Sequence, residues 1–169
     1  MSNYIKYVKL IIFIVVLLAI SAAIITMDSS METINKSMPE ISEGIVQGDI
    51  DYNDSVDSLN DRNFFEASQK AQSADENFNK SLEQLLKIRY KYENDLNDVH
   101  KEYIDKTISE LELKLKACEK LNQSIYYLQS YYNYTGSNYG IEANDLMIDA
   151  VKYQNERNEI VKDNPELFD

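Results

Sequence analysis

The stretch NFFEASQKAQSADENFNKSLEQLLKIRYKY, residues 63–92, decides which fold the sequence predicts. Its apolar side chains recur every three or four residues, which places them on one face of a helix. Asn63 can cap that helix, and Glu66 follows three residues later, as in a capping box. The apolar face, continued to the next turn, comprises Phe64, Ala67, Ala71, Ala74, Phe78, Leu82, Leu85, Ile88, Tyr92 and Leu96. The pattern therefore predicts a long helix that buries this face.

Similar apolar stripes lie on both sides of this stretch. The upstream helix is predicted to begin at residues 37–40, because Ser37 can cap it and Pro39 suits a first turn. Its stripe comprises Ile41, Ile45, Tyr52, Val56 and Leu59. The downstream stripe comprises Ile104, Ile108, Leu111, Leu115, Cys118, Leu121, Ile125, Leu128 and Tyr132. Residues 94–98 are predicted to reverse the chain between the two long helices, since Asn and Asp favour turns over helix interiors.

The last third of the chain is predicted to hold a loop and one more helix. Residues 133–140, NYTGSNYG, contain two glycines among small polar residues, which is typical of a loop. The final helix follows from Ala143 to Ile160, and Pro165 ends it. No segment alternates apolar and polar residues, so no strand is predicted. The fold class is therefore all-α, an antiparallel bundle of three or four helices with two long central helices.

An N-terminal run, KYVKLIIFIVVLLAISAAIITMDSS at residues 6–30, precedes the bundle. Residues 10–27 carry no charge and are about long enough to cross a hydrocarbon core of ~30 Å as a helix. The predicted membrane-spanning residues include Leu10, Ile11, Ile12, Phe13, Ile14, Val15, Val16, Leu17, Leu18, Ala19 and Ile20. The alternative is a secretory signal cleaved near Ala19–Ala23. The apolar run continues beyond that site to Ile25, which favours a retained anchor.

The flanking charges predict the orientation of the anchor. Lys6 and Lys9 precede the apolar run, and mostly acidic residues follow it. Basic flanks stay in the cytoplasm, so the remainder is expected outside the cell membrane. The predicted organisation is a cytoplasmic segment at 1–9, a transmembrane helix at 10–27, a linker at 28–37, an extracytoplasmic bundle at 38–165 and a tail at 166–169.

Charge and cysteine usage limit the partners. Residues 28–169 hold all 29 acidic residues and 15 of the 17 basic ones, a formal charge of −14. Such a surface repels phosphate, so no nucleic acid is expected. The predicted partners are the lipid bilayer, through the N-terminal helix, and a protein partner or a second copy, through helix faces. Cys118 is the only cysteine and falls on an apolar stripe, which predicts a buried thiol without a disulfide.

One acidic segment resembles a calcium-binding loop in its spacing. The matching residues are Asp49, Asp51, Asn53, Ser55 and Asp57. Asp54, however, stands where such a loop needs glycine for its sharp turn, and Asn60 stands where it needs a bidentate glutamate. The segment is therefore interpreted as an acidic helix face, and no metal is predicted.

The sequence offers no recognisable catalytic set. His100 is the only histidine and is expected to be a solvated turn residue. No nucleophile and orienting group accompany it at a spacing typical of a catalytic triad. The sequence also contains no glycine-rich phosphate-binding loop. No catalytic residue, no cofactor and no enzyme activity are therefore predicted.

Tyrosines supply the best candidate for a recognition surface. The predicted surface comprises Tyr126, Tyr127, Tyr131, Tyr134 and Tyr139. Tyrosine gives a large contact area at a low entropic cost, although it can equally close the end of a bundle. Asn133 begins an Asn-x-Thr sequon in the predicted loop and is the expected glycan acceptor of an exported domain.

These features predict a single-pass, membrane-anchored, extracytoplasmic helical bundle that serves as an interaction or structural module of the cell envelope. The alternative is a ligand-sensing ectodomain. Because residues 1–9 are too short for an output domain, such a sensor would need a signalling partner in trans.

Overall fold

The computed structural model describes residues 32–168. Residues 37–169 form one compact unit, to which the bundle belongs. The transmembrane helix predicted at residues 10–27 lies outside the described part. Within residues 32–168, no helix combines the length and the apolar character that crossing a bilayer demands.

Four helices account for almost all of the described chain. Helix α1 covers residues 32–60, α2 Phe64–Lys91, α3 Asp98–Gln129 and α4 Asn133–Asp163, and a single 3-10 turn follows at Pro165–Leu167. No strand occurs in residues 32–168. The all-α prediction is confirmed. The two central helices have 28 and 32 residues, but α1 with 29 and α4 with 31 are about as long, so the central helices do not stand out in length.

Consecutive helices run antiparallel. In the first hairpin, α1–α2, the Ser55 hydroxyl donates to the Ala67 carbonyl at 2.7 Å, and Lys80 pairs with Glu40 at 2.8 Å toward the other end. In the second hairpin, α3–α4, the Ser124 hydroxyl donates to the Gly136 carbonyl at 2.8 Å. Arg89 of α2 pairs with Asp105 of α3 across the middle connection. The helices therefore form an up-and-down bundle.

The predicted apolar stripes form the core. Ile41, Ile45, Ala71, Phe78 and Leu111 are buried, whereas the last stripe residue, Tyr132, is exposed. Cys118 is buried as predicted. Burial, with nearby Asp75 and Asp49, raises the pKa of its thiol to about 12, so the thiol stays protonated and unreactive at neutral pH.

Two short connections at one end share the same geometry. Arg62 and Tyr131 have left-handed backbone angles, φ 59° and 65°. The next amide in each turn donates five residues back, from Asn63 to Ser58 at 2.8 Å and from Tyr132 to Tyr127 at 2.9 Å. This hydrogen bond defines a Schellman helix end, which usually has glycine at the left-handed position.

The turn between α2 and α3 lies close to the position that the sequence predicts. The chain reverses at residues 92–97, close to the predicted 94–98. Asn97 caps α3 by accepting from the His100 amide at 2.8 Å. Asn63 caps α2, and its side-chain amide also donates to Glu66 at 2.6 Å, so the predicted cap at Asn63 is confirmed, whereas Ser37 lies inside α1 and does not cap it.

Two predicted boundaries are wrong. Residues 32–36 are already helical, so α1 does not begin at residues 37–40. The loop predicted at residues 133–140 is instead the first part of α4. Gly136 does not break this helix. A Cβ there would lie 2.5 Å from Leu128 Cγ, so glycine serves to let α4 lie close against α3.

Candidate functional site

Exposed aromatic rings gather at the end of the bundle that carries the two Schellman turns. Helices α1 and α3 end there, and α2 and α4 begin there. The exposed rings, which we call the aromatic end, are those of Phe65, Tyr126, Tyr131, Tyr132 and Tyr134. Phe65 is 74% exposed and Tyr131 86%. Large apolar groups exposed side by side are typical of recognition surfaces.

The predicted tyrosine surface is partly assembled. Tyr127 and Tyr139 are half-buried and stack at 5.4 Å with an interplanar angle of 12°. Tyr126 and Tyr132 meet the Tyr127 ring edge-on at 5.3 and 6.2 Å. Tyr131 and Tyr134 are exposed and make no ring contact with described residues.

Two of the five rings are not among the predicted surface residues. Tyr132 belongs to the same tyrosine cluster in the sequence, but it is also the last residue of the apolar stripe of α3. Phe65 follows Phe64 directly, and adjacent residues on a helix do not share a face, so the doublet itself signalled that one ring would be exposed.

An acidic groove of about 520 Å³ borders the stacked tyrosines. Asp75 and Glu119 supply its carboxylates, and Gln123 lies between them and the rings. Burial raises the pKa of Asp75, with a smaller contribution from Glu76. Lys120 pairs with Glu142 at 2.7 Å and lies 5.1 Å from the Tyr139 ring centroid. The groove thus offers carboxylates and ring faces, both of which attract cations.

Charged residues also meet inside the bundle. Lys114 and Glu110 of α3 are fully buried. The Lys114 ammonium lies 2.7 Å from Asp49 of α1 and 2.8 Å from Glu110, and Arg157 of α4 lies 3.5 Å from Glu110. We call these four residues the buried charge cluster. Two carboxylates balance two cations, and the cluster joins α1 of the first hairpin to both helices of the second.

The contacts of the cluster differ in quality. Lys114 donates a hydrogen bond to Asp49 at 2.8 Å. Glu110 has neither carboxylate oxygen aligned with a hydrogen-bond donor, although Lys114 and Arg157 are close. The attraction around Glu110 is therefore electrostatic, and it depends on both cations remaining in place.

The residues that match calcium-loop positions lie in helix α1 instead of a loop. Asp51 is buried and accepts from Lys70 at 2.9 Å, Ser73 at 2.7 Å and Asn77 at 3.3 Å. Ser55 and Asp49 also have protein partners, whereas Asn53 and Asp57 are exposed. Within residues 32–168, no three metal-binding side chains converge on one point.

Two opposing effects act on the pKa of the Asp51 carboxyl. Its burial acts to raise the pKa, but hydrogen bonds from Lys70, Ser73 and Gln47 outweigh burial and lower the pKa below its ordinary value. The charged form of Asp51 is therefore part of the stable fold.

His100 is not the solvated turn residue that the sequence predicted. Its ring is half-buried, and Nε2 lies 2.8 Å from the carbonyl oxygen of Leu167. Phe168 packs edge-on against the ring at 5.3 Å. His100 thus attaches the C-terminal turn to the start of α3.

Asn133, the predicted glycan acceptor, is the first residue of α4, and its side chain is exposed at the aromatic end. Comparisons with protein-family models, with curated proteins and with solved structures find no match for this chain.

Proposed function

We propose that this chain is a single-pass membrane protein that presents a helical recognition module on the extracytoplasmic side and binds a protein partner through the aromatic end. The observation that carries the proposal is the exposure of five aromatic rings on a domain that is otherwise strongly acidic. Aromatic anchors supply most of the binding energy at many protein interfaces.

Charge supports a partner with a basic surface. The formal charge of −14 on residues 28–169 would accelerate encounter with such a partner, and added salt would weaken the effect. The acidic groove beside Tyr126 and Tyr127 gives cationic side chains a place to pair at the edge of the interface.

The membrane part of the proposal can be tested by cysteine labelling in intact cells. Wild-type protein is its own negative control, because Cys118 is buried and its pKa is raised. A membrane-impermeant maleimide should label Gln69→Cys, which is exposed, and should not label Ser2→Cys until the cells are opened. Labelling of Ser2→Cys in intact cells would refute the proposed orientation.

The recognition part can be tested by site-specific photo-crosslinking in the same cells. A photoreactive aromatic residue at Tyr131 or Tyr134 should yield the same adduct. The matched control is Tyr90, which is 87% exposed but lies near the opposite end of the bundle. An adduct that forms equally well from Tyr90, or forms from no position, would contradict recognition through the aromatic end.

A further inference from the structure

A cleft of about 460 Å³ lies between α1, α3 and α4 near the aromatic end. Its walls combine apolar and polar groups. Tyr52, Val56, Leu121 and Ile141 supply apolar surface, and asparagine and serine side chains such as Ser137 also line it. Small-molecule sites join apolar surface with a few polar groups that fix the orientation of the ligand.

The cleft differs from its neighbours in charge. No Asp or Glu lines it, although the chain has 29 of them, and Arg62 gives the wall a formal charge of +1. Three other clefts of the described chain carry two to four carboxylates each. The Arg62 guanidinium is therefore the one formally charged group among the residues that line this cleft.

Arg62 is unusual in both its pairing and its backbone. Among the three arginines of the described chain, Arg89 and Arg157 face carboxylates, whereas Arg62 forms no ion pair with any described residue. Its φ of 59° is a conformation that costs most residues about 1 kcal/mol or more. The Arg62 side chain is exposed to solvent and lines the cleft, so its guanidinium is available to a ligand that enters there.

We propose that this cleft binds a small amphipathic monocarboxylate, with the carboxylate on the Arg62 guanidinium and an apolar body between α1, α3 and α4. Guanidinium and carboxylate match in a planar, two-point hydrogen-bonded pair. The proposal goes beyond recognition through the aromatic end, and it supplies the ligand that a sensing ectodomain requires.

Calorimetric titration of the full chain in neutral detergent tests the proposal with three probes of equal shape. Phenylpropionate should bind. Phenylpropanol and phenylpropylamine should bind at least about tenfold more weakly, since they cannot form the charge-assisted pair. Equal affinity for the acid and the alcohol, or no binding of the acid at millimolar concentration, would overturn the proposal.

Three variants separate binding from folding. Arg62→Gly should lose phenylpropionate binding by about tenfold or more, while its thermal midpoint stays equal or rises, because glycine accepts the left-handed angle. Ile141→Glu, at an exposed position of the wall, should also lose binding by placing a carboxylate in the cleft. Lys87→Gln makes the same change in net charge as Arg62→Gly at an exposed site far from the cleft, and it should bind normally. Normal binding by Arg62→Gly would contradict the assignment.

Discussion

The two helical hairpins follow one plan but differ in what they bury. The hydroxyls of Ser55 and Ser124 make the same cross-hairpin bond, to residues 67 and 136, and the two residues stand 69 positions apart in the sequence. The left-handed residues Arg62 and Tyr131 are also 69 positions apart. The same backbone arrangement is thus built twice from different side chains.

Three core positions differ most in charge. The first hairpin has Ile41, Ile45 and Ile88 there, all buried. The corresponding residues of the second hairpin, 69 positions later, are Glu110, Lys114 and Arg157. Apolar contacts are tolerant of register, whereas a buried charge requires one particular partner. We infer that the second hairpin specifies how the bundle is assembled, through Asp49 of the first.

The largest expected effect comes from Lys114→Met. The substitution leaves Glu110 and Asp49 without the ammonium, and breaking a buried pair costs about 3–5 kcal/mol. The matched change in the first hairpin, Ile45→Met, should cost less than about 1.5 kcal/mol. Urea unfolding followed by circular dichroism measures both. Similar losses for the two variants would remove the distinction between the hairpins.

The next largest effect concerns the polar pairs six residues farther along each hairpin. Asp51→Ala removes a buried carboxylate bonded to Lys70 and Ser73 and should cost about 1.5–3 kcal/mol. Lys120, 69 positions later, pairs with Glu142 in a partly exposed setting, so Lys120→Ala should cost at most about 1 kcal/mol. Chemical unfolding at neutral pH would disagree with this account if the order were reversed.

Asp51 also predicts how stability depends on pH. Since its pKa is lower in the folded than in the unfolded chain, its contribution is complete above the ordinary value of 3.8 and is lost as the pH falls through the folded value. Asp51→Ala should therefore flatten the decline in stability below about pH 4. Unfolding midpoints measured from neutral to acid pH provide the check, and an unchanged acid slope would contradict it.

Replacing a glycine by alanine in each hairpin tests how closely its two helices pack. A Cβ on Gly48 would lie 2.4 Å from the buried Phe78 ring, whereas one on Gly140 would lie 3.2 Å from the Ser124 hydroxyl. Gly48→Ala should lose about 1–2 kcal/mol through overpacking. Gly140→Ala should be neutral or gain up to about 1 kcal/mol from helix propensity. The thermal midpoints of the two variants distinguish these outcomes. An unchanged midpoint for Gly48→Ala would contradict close packing of Gly48 against Phe78.

The smallest effect should be equal in the two hairpins. Arg62→Gly and Tyr131→Gly relieve the left-handed backbone and should each raise stability by up to about 1 kcal/mol. A gain at only one position, seen by thermal melting, would mean that the two turns are not energetically equivalent.

Periodicity predicted much of this fold, because α2 and α3 carry long apolar stripes and asparagine caps. The prediction from periodicity failed where one residue type, such as glycine, occurs both in loops and at close contacts between helices. Gly136 fits a loop by residue type, but here it allows close packing of α4 against α3. Arg62 and Tyr131 take left-handed angles at positions where glycine is usual, so their residue types did not signal the two Schellman turns.

The buried charge cluster was missed because only apolar residues were followed. Glu110 and Lys114 fall at helical spacing with buried Ala117 and Leu121, so spacing without regard to polarity would have placed them on the core face. Their partners could not have been found, since Asp49 and Arg157 lie on other helices. Of the candidate site, the tyrosines were visible as a cluster in the sequence, but the cleft around Arg62 depends on how three helices meet.

A double-mutant cycle on Asp49 and Lys114 tests most directly whether the buried charge cluster joins the hairpins. The free energies of unfolding of Asp49→Ala, Lys114→Met and the double variant are compared with wild type. We predict a coupling energy of about 1–3 kcal/mol, because the second substitution removes a partner that the first has already left unpaired. Additivity within about 0.5 kcal/mol would contradict the account, since the two hairpins would then associate without this pair.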